Sequence, residues 1–131
     1  MPTFIIGQLL DSPNRNGRIY TKECMEKAIT DTKKLIEEKR FLGELLEQSQ
    51  YTGINLSNVS HMVTDLRIEE NKIAVDIQVL KTPKGILLQE MMDAKEIEFV
   101  QRGLGKIGKD NIVTDYTLIA IDAVRAYHKN L

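Results

Sequence analysis

Residues 96–109 read EIEFVQRGLGKIGK. The run begins as a strand: Ile97, Phe99 and Gln101 fall on one face, Glu98, Val100 and Arg102 on the other. It then breaks at Arg102-Gly103-Leu104-Gly105. Two glycines one residue apart weaken a strand, because each loses backbone entropy on folding and packs no side chain. They suit a bulge, or a place where the backbone must come close to something. Arg102, just before them, is a candidate anion or oxyanion ligand; the alternative is a barrel corner carrying a solvated arginine. Before the glycines the stretch has no Ser, Thr, Cys, His, Asp or Tyr.

Upstream of it, Thr82-Pro83 is a helix start, with Thr as N-cap and Pro at the first helical position. Leu87, Leu88, Met91 and Met92 supply the apolar face of that helix, which ends near Ala94. Downstream, a turn at residues 108–111 leads into a last strand over 112–124. Asp122 sits in that strand between Ile121 and Ala123. A carboxylate in an apolar strand must be paired or suffer a large desolvation penalty. Arg15, Arg18 and Arg102 are its candidate partners.

Further back, Ile73, Val75, Ile77 and Val79 alternate with Lys72, Ala74, Asp76 and Gln78. This is the clearest period-two pattern in the chain. Residues 58–69 precede it as a partner strand, with Glu69-Glu70-Asn71 as the turn of an antiparallel hairpin. Residues 3–10 read as a buried strand and 11–20, DSPNRNGRIY, as a turn-rich loop. Thr21 caps an amphipathic helix over 22–39, with Cys24 as a packing residue at its edge. Residues 41–53 read as a loop with a short extended piece at Gly43-Glu44-Leu45; Glu44 and Glu47 could be acid/base residues there, but two glutamates in an exposed loop are usually solvated. The tail from Arg125 onward is expected to fray. The sum is an α+β fold in one domain, 1–131: an antiparallel, barrel-like sheet, closed or nearly so, with two helices packed outside.

Composition narrows the function. Of 131 residues, 42% are hydrophobic and 28% charged, with a formal net charge of −1, so nothing draws the chain toward nucleic acid or an anionic membrane. The single cysteine excludes an internal disulfide and a cysteine-based metal cage, and it fits a reducing compartment. No apolar run approaches a membrane span, and the N-terminus lacks the basic start of a signal peptide. No metal or cofactor is expected. Walker, GxSxG and HExxH patterns are absent, and the glycines of RGLG do not precede a helix. The histidines are His61 and His128. His61 follows Ser60, but neighbours on a strand point to opposite faces, so that pair is not expected to form a dyad. His61 could instead serve Ser49, Ser57 or Thr114 at a distance.

Taken together, the motifs resemble the prohead core proteases of tailed phages, capsid-maturation serine proteases related to the herpesvirus assemblins. Residues 14–20, NRNGRIY, are similar to the family block N-x-N-x-R-x-Y-P, with Thr21 in place of the proline. Gly43-Glu44-Leu45 matches the start of G-E-L-(D/N)-H-P, and residues 58–66 resemble the strand after it. Arg102-Gly103-Leu104-Gly105 matches the end of S-S-R-G-L-G, and Ile121-Asp122-Ala123-Val124 resembles a late block. The resemblance covers roughly residues 5 to 125 and implies the assemblin-like fold and a capsid-assembly setting.

It also marks what is missing. The family's base falls at Glu47, and its serine pair at Val100 and Gln101. None of these can act as the missing histidine or serine. The expectation is a catalytically inactive relative, a structural or regulatory capsid component. Its partners would be shell, scaffold or protease proteins, or copies of itself, in the virion or in the host cytoplasm during assembly. Arg15, Arg18, Arg102, Gly103, Gly105 and Asp122 are the candidate binding positions. The alternative is an active peptidase with a displaced site, using His61 with Ser57 or Ser60. The fold implied by the resemblance also places the 43–48 loop beside residues 99–102, with Glu47 toward the old site.

Overall fold

The structure, a computed structural model, describes residues 2–46 and 53–126. Helix α1 spans Lys22–Glu37. The Thr21 hydroxyl oxygen accepts from the Cys24 N–H at 3.1 Å and so caps one of the first-turn donors that the helix leaves unpaired. Met25, Ala28, Ile29 and Thr32 form its buried stripe. The Thr32 hydroxyl turns back to the Ile29 carbonyl and is thereby satisfied inside the core. Helix α2, Pro83–Asp93, starts in the same way, with the Thr82 hydroxyl oxygen accepting from the Gly85 N–H. Its apolar residues surround the axis. Leu88 is buried, whereas Ile86 and Leu87 are exposed, so the expected face of Leu87, Leu88, Met91 and Met92 is only partly covered.

Six strands make one sheet: β1 (Thr3–Ile5), β2 (Leu42–Leu46), β3 (Val59–Glu69), β4 (Lys72–Val79), β5 (Ile97–Ile107) and β6 (Val113–Arg125). Their spatial order is β1-β4-β3-β2-β6-β5. The β3–β4 hairpin follows the sequence pattern, with Glu69 opposite Lys72 at the turn. Helix α1 packs mainly on β3 and β6, and α2 mainly on β3. Two short 3-10 turns, Leu56–Asn58 and Lys109–Asn111, join strands.

The α+β class is as expected; three features of the sheet are not. It is mixed, because β2 pairs with β6 in parallel at Leu45–Ala123 and Leu46–Val124. It is open, because β1 and β5 end it without pairing to each other. The expected closed, purely antiparallel barrel is therefore corrected to an open mixed sheet. Third, the extended piece at residues 43–45 is no loop. As β2 it lies between β3 and β6, with Gly43, Glu44, Leu45 and Leu46 all buried. A strand buried on both faces shows no alternation, which is why LGELL hides its character.

Smaller differences follow from local chemistry. Only Thr3–Ile5 pairs as a strand. Beyond it, Ile6 and Leu10 remain buried while their N–H groups bond to the carbonyls of Ile73 and Asn71. The strand through residues 96–109 does not break at the glycines. β5 runs on to Ile107 with irregularities between Arg102 and Gly103 and between Leu104 and Lys106. A Cβ on Gly103 would come within 2.5 Å of the Tyr116 hydroxyl and 2.4 Å of the Thr117 carbonyl oxygen, so the bulge is a close approach to β6. Arg125 belongs to β6, and the rest of the tail from residue 127 lies outside the described residues.

Candidate functional site

Four neighbouring strands converge on one buried polar cluster. β6 contributes Asp122, β5 Arg102, β2 Glu44 and β3 the Ser60–His61 pair, all buried. In the β5–β6 register Val100 stands opposite Asp122 and Arg102 opposite Ala120, so Arg102 and Asp122 are diagonal neighbours on one face. The Arg102 guanidinium meets the carboxylate side-on, Nε to Oδ2 at 2.7 Å and Nη2 to Oδ1 at 3.2 Å. Nη2 also donates to Glu44 Oε2 at 2.7 Å, and Nη1 to the Gly53 carbonyl at 2.6 Å. The Glu44 N–H donates to Asp122 Oδ1 at 3.2 Å, and the Asn58 amide to Glu44 Oε1 at 3.4 Å. Burial works against charge on Arg102, but the bonds to Asp122 and Glu44 outweigh it and hold the guanidinium pKa above its ordinary value.

This arrangement assigns several sequence candidates. Asp122 is buried and paired, as its apolar neighbours require, and its arginine is Arg102. Arg102 is no solvated corner residue. Its donors are directed at two carboxylates and a carbonyl, so its geometry is that of a cross-strand brace. Glu44, expected in solvent, is wholly buried. The signal was present: a carboxylate inside Leu-Gly-Glu-Leu-Leu, together with Arg102 and Asp122 in two other apolar strands, makes a matched set of buried charges.

His61 is placed by Gly43. The two are cross-strand partners, and a Cβ on Gly43 would lie 2.1 Å from His61 Nε2. The imidazole therefore lies across β2 at its glycine and reaches the Ile121 carbonyl on β6 at 2.7 Å. β2 and β6 pair only at residues 45–46 and 123–124, so the ring nitrogen bonds a carbonyl just beyond that short ladder. A carbonyl can only accept, so Nε2 carries the proton and Nδ1 offers a lone pair. The Ser60 hydroxyl donates to that Nδ1 at 2.8 Å. The expectation that strand alternation keeps Ser60 and His61 apart is thus corrected: a short side chain and Nδ1, the ring nitrogen nearer the backbone, can meet between adjacent residues. Burial lowers the His61 pKa; the Ile121 bond and the charge of Asp122 oppose that but do not cancel it. Phe99 meets the ring edge-on at 5.3 Å. Both Ser60 and His61 have no exposed surface, so no substrate carbonyl reaches the hydroxyl.

A separate cleft of about 700 Å³ opens between β5 and residues 6–9. Val100 and Gln101 line it from β5, Gln8 from the other side, and Asn14, Arg15 and Asn16 from the loop. Gln8 Nε2 and Gln101 Oε1 are buried without a hydrogen-bond partner among the described residues. Such a group costs about 1–3 kcal/mol, so a pair of them in one cleft calls for a reason. The 14–18 turn is organised by Asn14, whose Oδ1 accepts from the N–H groups of Asn16 and Arg18.

The family model described as prohead core protein serine protease matches residues 3–127. The chain belongs to this family. Among solved structures, the capsid assembly protease of bacteriophage T4 matches with a TM-score of 0.78 at 25% identity, over 91% of this chain and 78% of that one. No curated protein matches significantly.

Within the prohead protease fold, the positions that resemble the family's serine pair, Val100 and Gln101, stand on the cleft wall. Strand β2 and residues 99–102 are separated in the sheet by β6, yet Glu44 and Arg102 touch across it. Glu47, which the resemblance sets at the family histidine, lies outside the described residues, as do Ser49 and His128. Ser57 sits in an exposed 3-10 turn, its N–H donated to Asn55 Oδ1. Arg15 and Arg18 are surface-loop residues, and Gly105 lies against Val113 and Tyr116. Cys24 is half-buried and its thiol pKa is raised by burial, so it is no activated nucleophile. Among the described residues no group of three or more His, Cys, Asp or Glu side chains could hold a metal ion, and no helix is long and apolar enough to cross a membrane. Sequence reasoning missed Gln8 altogether; nothing in Gly-Gln-Leu-Leu marks a buried amide.

Proposed function

We propose that this member of the prohead protease family is catalytically inactive and serves as a structural or regulatory component of a phage capsid. It would bind shell, scaffold or protease proteins, or further copies of itself, in the virion or in the host cytoplasm during assembly. One observation carries the reading: the cleft wall presents Val100 and Gln101 where the family resemblance places serine, and neither has a nucleophilic atom. The buried brace of Glu44, Arg102 and Asp122 supports it, since it keeps the scaffold's strands in register without any reacting group.

A second reading has one observation in its favour. Ser60 donates to His61 at 2.8 Å, the contact that a serine peptidase uses to activate its nucleophile. In that reading the chain is an active capsid-maturation peptidase with a displaced site, and local opening would have to expose the pair. Incubation of the purified protein with precursor shell and scaffold proteins separates the two. The proposal expects no cleavage, no self-cleavage and no labelling by a serine-directed covalent inhibitor. Specific cleavage that disappears in His61→Ala would overturn it.

A further inference from the structure

Asn16-Gly17 stands at the tip of the 14–18 turn and has no part in either reading of the site. Asn14 closes that turn from both ends. Its N–H donates to the Arg18 carbonyl at 2.9 Å, and its own carbonyl accepts from the Gly17 N–H at 2.9 Å. Its Oδ1 accepts from the N–H groups of Asn16 and Arg18, at 2.9 and 3.0 Å. Gly17 has a φ of +77°, which a residue with a side chain adopts only under strain. A Cβ there would meet only the Asn111 side-chain amide, at 3.8 Å, so backbone conformation and not crowding selects glycine. Asn16 is exposed, and its side-chain amide has no hydrogen-bond partner among the described residues. No other asparagine of the chain precedes a glycine.

An asparagine carboxamide can close a five-membered ring with the main-chain nitrogen of the next residue. Where that residue is glycine, no Cβ hinders the approach. We propose that Asn16 is a site of spontaneous deamidation and main-chain isomerisation, gated by the turn. Hydroxide removes the Gly17 amide proton, and the nitrogen attacks Asn16 Cγ. The N–Cγ bond forms as the carboxamide nitrogen leaves as ammonia, which takes its proton from water and so restores the hydroxide. Water then opens the succinimide at either carbonyl and leaves aspartate or isoaspartate. The net change is water consumed and ammonia released, with no oxidant or reductant. In the closed turn the Gly17 N–H is engaged with the Asn14 carbonyl, so its nitrogen reacts when the turn opens. An exposed turn opens locally far more readily than the strands beneath it. Either product adds a carboxylate to the cleft wall, whose charged side chains are Arg15 and Glu98. Isoaspartate also lengthens the main chain by one carbon inside the loop that Asn14 and Arg18 close.

The test holds the purified full chain at mildly alkaline pH, folded and in parallel in guanidinium chloride, and maps both samples by mass spectrometry. Exchange of an amide for a carboxyl group should appear first at Asn16, with isoaspartate among the products, and faster in the unfolded sample. Asn14→Ala removes the Oδ1 acceptor that organises the turn. It should raise the rate in the folded protein about fivefold, the change that a lost hydrogen bond makes in an opening equilibrium. In guanidinium chloride the same variant should react like the wild type, which separates an effect of the turn from one of local sequence. Asn16→Gln should give no product at this position. If Asn14→Ala does not fold, the comparison of folded with unfolded wild type carries the test. A folded chain that deamidates first at another asparagine, or stays intact at Asn16 after the unfolded sample has reacted fully, would overturn the site. Equal folded-state rates for wild type and Asn14→Ala would overturn the gate.

Discussion

Arg102 and Asp122 form a side-on, two-bond ion pair between neighbouring strands, with Nε–Oδ2 at 2.7 Å and the side chains 5% and 0% exposed. Glu44 on the strand beyond shares the same guanidinium at 2.7 Å. Two carboxylates and one arginine thus join β2, β6 and β5, and the join sits where β2 and β6 have only a short parallel ladder. Such a cluster contributes less as net stability than as register. A one-residue slip of any of the three strands would leave a charge buried without its partner.

Removing one member should therefore be costly. Asp122→Ala leaves Arg102 desolvated without its two bonds to that carboxylate, and a loss of about 3–5 kcal/mol is expected in denaturant unfolding. Arg102→Met should cost at least as much, because it leaves Glu44 and Asp122 facing each other. A loss below about 0.5 kcal/mol for Asp122→Ala is what a solvated carboxylate would give, and would contradict the buried geometry.

Gly43 holds a place that no other residue fits. A methyl there would lie 2.1 Å from the imidazole of His61 and 2.4 Å from the Ile121 carbonyl oxygen. Gly43→Ala should push the ring off that carbonyl and destabilise by about 1–3 kcal/mol, the usual range for overpacking. The signature beyond stability is local. Hydrogen exchange of β2 and β6 amides should quicken more than that of the β3–β4 hairpin. Equal acceleration across the whole sheet would show that Gly43 matters only globally.

Much of this was readable beforehand, and the limits have physical causes. Both helix starts were legible because Thr caps act locally, on donors within the same turn. The β3–β4 hairpin was legible because one face is wetter than the other. Asp122 announced a buried partner through its neighbours alone. β2 was not legible, since burial on both faces erases the period-two signal, and Glu44 was misplaced along with it. The parallel β2–β6 join is a long-range pairing that no local pattern encodes. The Ser60–His61 bond defeats strand alternation because Nδ1 lies close to the main chain. Gln8 and Gln101 acquire meaning only when the fold puts their amides into one cleft.

The neutral His61 makes stability depend on pH. Its folded pKa is lowered below the unfolded value of about 6.5, chiefly by burial. Below that value the unfolded chain takes up a proton that the folded chain resists. The stabilisation is thus fully present above about 6.5 and is lost as pH falls toward the folded pKa, with a slope approaching about 1.4 kcal/mol per pH unit. Chemical denaturation between about pH 7 and pH 5 should show this slope in the wild type and its reduction in His61→Gln. The level of stability in the variant is immaterial; an unchanged slope would place the titration elsewhere.

Gln101 presents the opposite case, a residue whose removal should strengthen the free protein. Its Oε1 is buried without a partner, and a buried unpaired amide oxygen forfeits its hydration with nothing in return. Leucine has nearly the same size and no polar atom, and replacement of an unsatisfied polar group by an apolar one of similar shape is neutral or stabilising. Gln101→Leu should therefore raise the unfolding free energy, read by denaturant unfolding, by up to about 1 kcal/mol. Destabilisation beyond about 1 kcal/mol would mean that the oxygen is bonded in the free protein, and it would take away the cleft's acceptor.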